Sequence, residues 1–374
     1  VILFDDITRT RRGFAFQSED SFEFLNTSAQ PFALNIRTLL QDWFERYPIA
    51  HQASLRGLFR EDFHAAFFEL LLHELLLRLG HKVAVHPTLP GVTTQPDFLA
   101  TEAGSGNTFV EARIVNDKSA SESATDREIS AFCDEVNRLR MKGFTIWLRR
   151  VDIPSGKHPS GKRFRNFVED LVNQLDPVAT RIEAEATGFR HLEFVCYEDG
   201  GSIIEFALIP QPLAAQEEAV SPIGIYPGKS RWGTCAPAIS KALKRKGGKY
   251  GNLNQAFVVA VNSMSEWNAG RDDFREALFG HYESKKTGGY WGKAESPAHR
   301  RVSAVLAGSL NPYNLHVAEL VLWKNPWASH PYCAPLDRMP RAEFRNGQVD
   351  YIEGLELGEV LGIPSDWPGE REMD

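Results

Sequence analysis

Apolar residues recur along the chain with two periods, 3.6 and 2, and the switches between them mark the elements. Residues 31–46 set Phe32, Leu34, Leu39, Leu40, Trp43 and Phe44 among polar neighbours, which predicts a helix closed by Tyr47-Pro48. Residues 61–79 are apolar almost all round. Phe63, Ala66, Phe67, Leu70, Leu71, Leu75 and Leu79 form one surface, and Phe68, Leu72, Leu76 and Leu77 extend it. A mostly buried helix stopped by Gly80 is expected. Strands follow at 81–86, 96–100 and 109–115, then a helix at 125–141 with Ile129, Phe132, Val136 and Leu139 on one face, and a strand at 144–151. Further on, the pattern predicts a helix at 163–175 and a hairpin of 191–196 with 202–209 around Asp199-Gly200-Gly201. The last part reads as helix 237–246, strand 256–262, helix 272–279, a glycine and aromatic loop at 288–292, and strands 302–306 and 319–323. This βα-rich portion either extends the sheet or forms a second layer.

The pattern divides the chain into an irregular and helical segment (1–59), a core domain (60–210) and a C-terminal α/β region (211–374), with the polar, alanine-rich stretch 211–221 as the internal boundary. The predicted fold class is α/β with a mixed sheet.

Within the core, a hairpin folded about Gly104 sets Asp97 opposite Glu111. Opposed residues of an antiparallel pair have Cβ atoms roughly 4.5–5.5 Å apart. Two ionised carboxylates at that range repel by about 3 kcal/mol at an effective dielectric near 20. A bound Mg²⁺ turns that cost into a gain, because hard cations take carboxylate oxygens. Strand alternation places Arg113 on the same face as Glu111, with Val110, Ala112 and Ile114 on the apolar one. Glu69, inside the apolar helix, is the other carboxylate that needs a partner or a metal; a salt bridge to a neighbour such as Arg113 is the structural alternative. His73-Glu74 begins an HExxH pattern, but Leu77 stands where the second histidine is required, so no zinc site is expected there.

Pro96-Asp97 and Glu111-Ala112-Arg113, on this order of helix, three strands, helix and strand, resemble the PD-(D/E)XK nuclease superfamily and its restriction-endonuclease-like αβββαβ core. The resemblance covers about residues 60–152. It implies a nuclease in which Asp97 and Glu111 hold Mg²⁺ (or Mn²⁺), the backbone of Ala112 assists, and Glu69 adds a carboxylate beside the metal. The residue at Arg113 orients or activates the attacking water in the family, where it is usually lysine. Arginine keeps its proton at neutral pH; held here, it serves to grip a phosphate oxygen or stabilise transition-state charge. Lys118, just past the strand, is a second candidate ammonium.

Composition is that of a globular protein: 374 residues, 43% hydrophobic and 24% charged. The longest apolar run, within 67–79, is broken by Glu69, His73, Glu74 and Arg78 and is too short to span a bilayer. Four scattered cysteines without metal spacing, and no legible secretory leader, give cytoplasmic as the expected setting. The net charge of −7 is uneven: residues 229–250 carry seven Lys or Arg and no acid, whereas 350–374 carry eight acids and only Arg371. Lys229, Arg231, Lys241, Lys244, Arg245, Lys246 and Lys249 therefore form a candidate nucleic-acid face, with Trp232 and Tyr250 as stacking surfaces. Lys244 to Lys246 alternatively just complement a helix C-terminus. The expected partner is nucleic acid, DNA before RNA, without a membrane, and a homodimer is compatible with it. The function expected is a metal-dependent phosphodiesterase; the alternative is a nuclease-fold protein without catalysis that binds nucleic acid or a partner.

Overall fold

In a computed structural model, every residue is described except 14, 90, 92–93, 103–105, 117–119, 139–140, 155, 189–191, 213–221, 226–233, 247–249, 251–252, 265–268, 281–287, 332–334, 346 and 371–374, and the side chains of 120, 121, 225 and 246. In chain order, four helices come first: α1 (Ser21–Thr27), α2 (Pro31–Arg46), α3 (Ile49–Glu61) and α4 (Phe63–Arg78). Strands β1 (Lys82–Val85), β2 (Phe98–Glu102) and β3 (Gly106–Val115) follow. Next are α5 (Ala120–Val136), β4 (Phe144–Asp152), α6 (Gly161–Val172), α7 (Pro177–Thr187), β5 (Val195–Asp199), β6 (Ser202–Pro210) and β7 (Ile223–Ile225). After α8 (Ala236–Lys246), β8 (Ala256–Ser263) and α9 (Arg271–Phe279), a small ladder pairs β9 (Gly292–Lys293) with β10 (Ser296–Pro297). The chain ends with β11 (Ala304–Gly308), β12 (Leu320–Lys324), β13 (Arg341–Arg345), β14 (Gln348–Ile352) and α10 (Leu357–Leu361).

These elements form two compact units. The first comprises Val1–Phe14, Asp20–Asp117 and Gly233–Asp374; the second comprises Ala15–Glu19 and Lys118–Trp232. The expected core of 60–152 is thereby corrected. α5 and β4, read as completing the core, belong to the second unit, and β3 pairs in parallel with β8, from Thr108 beside Ala256 to Val115 beside Ser263. The expected boundary at 211–221 is likewise replaced by an insertion between β3 and α8. The physical reason lies in the faces of the strands. β4 buries Phe144, Ile146 and Leu148 while Arg149 and Arg150 stay exposed, as suits a sheet with one covered face. The run Phe257-Val258-Val259-Ala260-Val261 is buried on both faces, as a strand between two helical layers must be.

The first unit holds an eight-stranded mixed sheet in the order β1-β2-β3-β8-β11-β12-β13-β14, so the C-terminal strands extend the sheet. One core lies on the α4 side, where Phe67, Leu71 and Leu75 pack with Phe98, Val110, Val258, Ala260 and Leu306. On the other side Ile239 and Leu243 of α8 and Phe274 and Leu278 of α9 pack with Phe109, Val259, Val261 and Val305. The layers are helix, sheet, helix. Gly289 lets the 288–292 loop dock on the end of α9: an added Cβ would stand 2.4 Å from the Leu278 carbonyl carbon.

α4 is buried along most of its length, as its sequence requires, and Asp62 caps it through the Ala65 N–H. Its buried Glu74 is held by Arg46 at 2.9 Å and Arg78 at 2.6 Å. In the second unit the four strands run in the order β5-β6-β4-β7, with α5 and α6 covering one face through Phe132, Val136, Phe164 and Val168. The predicted hairpin is β5–β6, turning at Gly200 (φ 59°) and Gly201 (φ 88°), where only glycine takes these angles without strain.

His73 lies inside α4 against Tyr47, with ring centroids 4.8 Å apart. Burial pushes its imidazole down from 6.5 to about 4, against the attraction of Glu74 and helped by the repulsion of Arg46. The unfolded chain therefore binds the extra proton between those values. Stability should fall as pH drops through that window, by up to roughly 3 kcal/mol. Urea denaturation between pH 7 and 4 should show this slope, and His73→Phe should flatten it; an unchanged slope refutes the assignment.

Candidate active site

The β2–β3 hairpin adopts the register expected of a turn at residue 104, with Phe98 opposite Val110 and Glu102 opposite Gly106. Asp97 stands one residue before β2. Its carbonyl accepts the His86 N–H at 2.9 Å, and its Oδ2 accepts the backbone N–H of Ala112 at 2.6 Å. Ala112, expected to assist through its backbone, thus meets Asp97 through its N–H. Leu99, Phe109 and Val115 belong to the core under α8 and α9, whereas Phe98, Ala100 and Val110 belong to that under α4. By alternation Asp97, Glu111 and Arg113 share the α8/α9 face.

Glu111 is completely buried, and a buried carboxylate needs donors. The Tyr250 hydroxyl supplies one, in a short hydrogen bond to Oε2, and also lies 2.9 Å from the Gln95 carbonyl oxygen. Tyr250 is itself buried, edge-on to Phe257 at 5.8 Å. It is therefore no stacking surface for a base, which corrects that expectation.

Glu69 projects from α4 on the opposite layer, at the same end of the sheet. The Tyr47 hydroxyl donates to its Oε1 at 2.6 Å, and His86 Nε2 lies 3.6 Å from the same oxygen. Its partners are these, and Arg113 makes no ion pair with it. Burial raises the Tyr47 hydroxyl far above its ordinary range, aided by the charge and hydrogen bond of Glu69 and then by Asp97. Tyr250 is raised by burial, then by its hydrogen bond to Glu111 and the charges of Glu111 and Asp97. Asp97 thus acts on both tyrosines, one beside each of the other acids. Both hydroxyls stay protonated and serve as donors.

Among the described residues no three His, Cys, Asp or Glu side chains converge closely enough to hold a metal. Asp97, Glu111 and Glu69 therefore do not form such a trio. Arg113 is half-buried beside the pair, and its Nε is buried without a hydrogen-bond partner among the described residues.

α8 covers this face of the sheet and leaves Lys241, Lys244 and Arg245 exposed around an open depression with Pro237 and Ser240. None of the three makes an ion pair among the described residues. Lys246 ends the helix, but its side chain, with Lys229, Arg231, Lys249, Trp232 and Lys118, lies outside the described residues. The cationic character continues beyond α8: His299, stacked on Tyr290 at 4.0 Å, is held below its ordinary range by burial and then by Arg301 and Lys244.

Sequence reasoning missed Tyr47, His86 and Tyr250 as neighbours of the acids. Tyr47 read as the end of a helix, and Tyr250 is 139 positions from the carboxylate it touches. Compared with known proteins, the chain matches no family model, no curated protein and no solved structure. No helix among the described residues is long and apolar enough to cross a membrane.

The unpartnered Nε makes a stability prediction. Removing a structural ion-pair partner from a buried site costs about 3–5 kcal/mol. Arg113→Met keeps the volume and deletes a cation with no such partner, so it should change the unfolding free energy by less than about 1 kcal/mol. A loss in the ion-pair range would assign Arg113 to the scaffold.

Proposed function

We propose that the first unit is a metal-dependent phosphodiesterase of the PD-(D/E)XK kind, acting on nucleic acid and on DNA in particular. The observation that carries this reading is the β2–β3 register, which by alternation sets Glu111 and Arg113 on one face of β3, with Asp97 just before β2 accepting the Ala112 N–H. The element order α4-β1-β2-β3-α8-β8 supports it, because it is the αβββαβ order once the second unit is set aside as an insertion.

The donor set fits Mg²⁺ or Mn²⁺. Magnesium keeps several waters and is commonly held by one or two carboxylates together with substrate phosphates, so a pair suffices. Asp97 and Glu111 would hold the cation, which when bound supplies Lewis acidity and an activated water. Glu69 would act behind that pair, through Tyr47 and His86, at the same end of the sheet. Arg113 carries a fixed cation beside the acids and would grip a phosphate oxygen and stabilise the charge that builds there. Lys241, Lys244 and Arg245, on the helix covering the same face, would hold the phosphate backbone. The second reading, a scaffold that binds nucleic acid without cutting it, is favoured by Arg113 in the lysine position and by the lack of a third side-chain donor among the described residues.

Two experiments test this reading. Asp97→Ala should abolish Mg²⁺- or Mn²⁺-dependent cleavage. In metal-free buffer its stability should stay near that of the wild type, since the lost bond to Ala112 and the relieved repulsion oppose each other. With millimolar Mg²⁺ only the wild type should gain stability. Arg113→Lys should retain or increase cleavage. Absence of cleavage of single- or double-stranded DNA or RNA with any divalent cation, by wild type and Arg113→Lys alike, would leave the scaffold. For binding, replacing Lys241, Lys244 and Arg245 together with Ala should reduce the slope of log affinity against log salt by up to about three. An unchanged slope would return these residues to helix capping.

A further inference from the structure

We infer that Tyr250 is a positioning residue for the cation site: its hydroxyl fixes the Glu111 carboxylate beside the segment that carries Asp97. The inference rests on the cation-binding reading of Asp97 and Glu111 above.

The geometry is a reciprocal bracket. Asp97 reaches to β3 and accepts the Ala112 N–H at 2.6 Å. Tyr250 reaches back, with its hydroxyl on Glu111 Oε2 of β3 and 2.9 Å from the carbonyl oxygen of Gln95, two residues before Asp97. One bond places the Asp97 carboxylate relative to the Glu111 strand. The other places the Glu111 carboxylate relative to the Asp97 segment.

Tyr250 is suited to this by its mounting. Its ring sits in the core under α8 and α9, edge-on to Phe257, so the hydroxyl has little freedom. A phenol has one proton to give, and two oxygens stand within reach. The bond to an ionised carboxylate is charge-assisted and the stronger of the two. The proton therefore goes to Glu111 Oε2 and fixes the orientation of that carboxylate. Hydrogen bonds of this kind behind a metal ligand orient it, and their loss typically lowers metal affinity about 10–100-fold. Tyr250 also follows α8 closely in sequence, so one segment carries both the exposed cations and the group that sets Glu111.

The test is Mn²⁺ binding to the purified chain, titrated by electron paramagnetic resonance, which needs no turnover. Tyr250→Phe keeps the ring and deletes only the hydroxyl. It should weaken Mn²⁺ binding about tenfold or more without changing the number of sites. In a Glu111→Ala background the same change should have no further effect. Tyr250→His, which keeps a ring and a donor, should recover part of the affinity lost in Tyr250→Phe. In cleavage assays the Mg²⁺ concentration for half-maximal rate should rise, while the rate at saturating Mg²⁺ stays within a few-fold of wild type. Equal Mn²⁺ affinity in wild type and Tyr250→Phe, or equal loss in the Phe and His variants, would overturn the inference and leave the cation-binding reading standing. No Mn²⁺ binding by the wild type would remove that reading, and the inference with it.

Discussion

Repulsion between Asp97 and Glu111 is the constraint that the surrounding structure answers. Two ionised carboxylates at the separation of opposed strand residues repel by about 3 kcal/mol at an effective dielectric near 20. Each carboxylate is met by a donor: the Ala112 N–H for Asp97 and the Tyr250 hydroxyl for Glu111. Hydrogen bonds to charged groups contribute about 1.5–3 kcal/mol each, so two of them are of the size needed to offset the repulsion. The pair can thus persist without a cation.

That answer draws on long-range parts of the chain. Tyr250 reaches Glu111 because α8 packs over β3, and α8 can do so because β8 has paired with β3 in parallel. A parallel pairing requires a long crossover. Here the crossover carries a whole second unit, from Lys118 to Trp232. Tyr47 reaches Glu69 because α2 ends against α4, an arrangement also held by the pairing of Glu74 with Arg46.

Local patterns made the short-range half of this legible. The register of β2 against β3 followed from turn residues and alternation alone, because hairpin register is fixed by the turn. The near-total apolarity of residues 63–78 announced a buried helix, and the alternation in 109–115 assigned the faces of β3 correctly. Which strand would lie beside β3 was not legible from order. The insertion begins with a helix and a strand, just as the expected continuation does. What separates β4 from β8 is that arginines interrupt one and apolar residues fill both faces of the other. That difference was readable in the sequence, but element order hid it. The tyrosines at the acids had no local signal, since a hydroxyl's partner depends on tertiary packing and not on its own neighbours.

The position of Arg113 decides which chemistry the site can support. A lysine there would be a compact charge able to lose its proton once desolvated; an arginine is planar, offers five donors and keeps its charge. Its Nε is buried and unpartnered among the described residues, so the guanidinium is not consumed by the fold. A fixed, forked cation beside two carboxylates suits holding tetrahedral phosphate oxygens bidentately. It does not suit taking a proton from water. On the proposed reading, proton removal would rest on the acidity that a cation supplies when bound, and Arg113 would bind the phosphate.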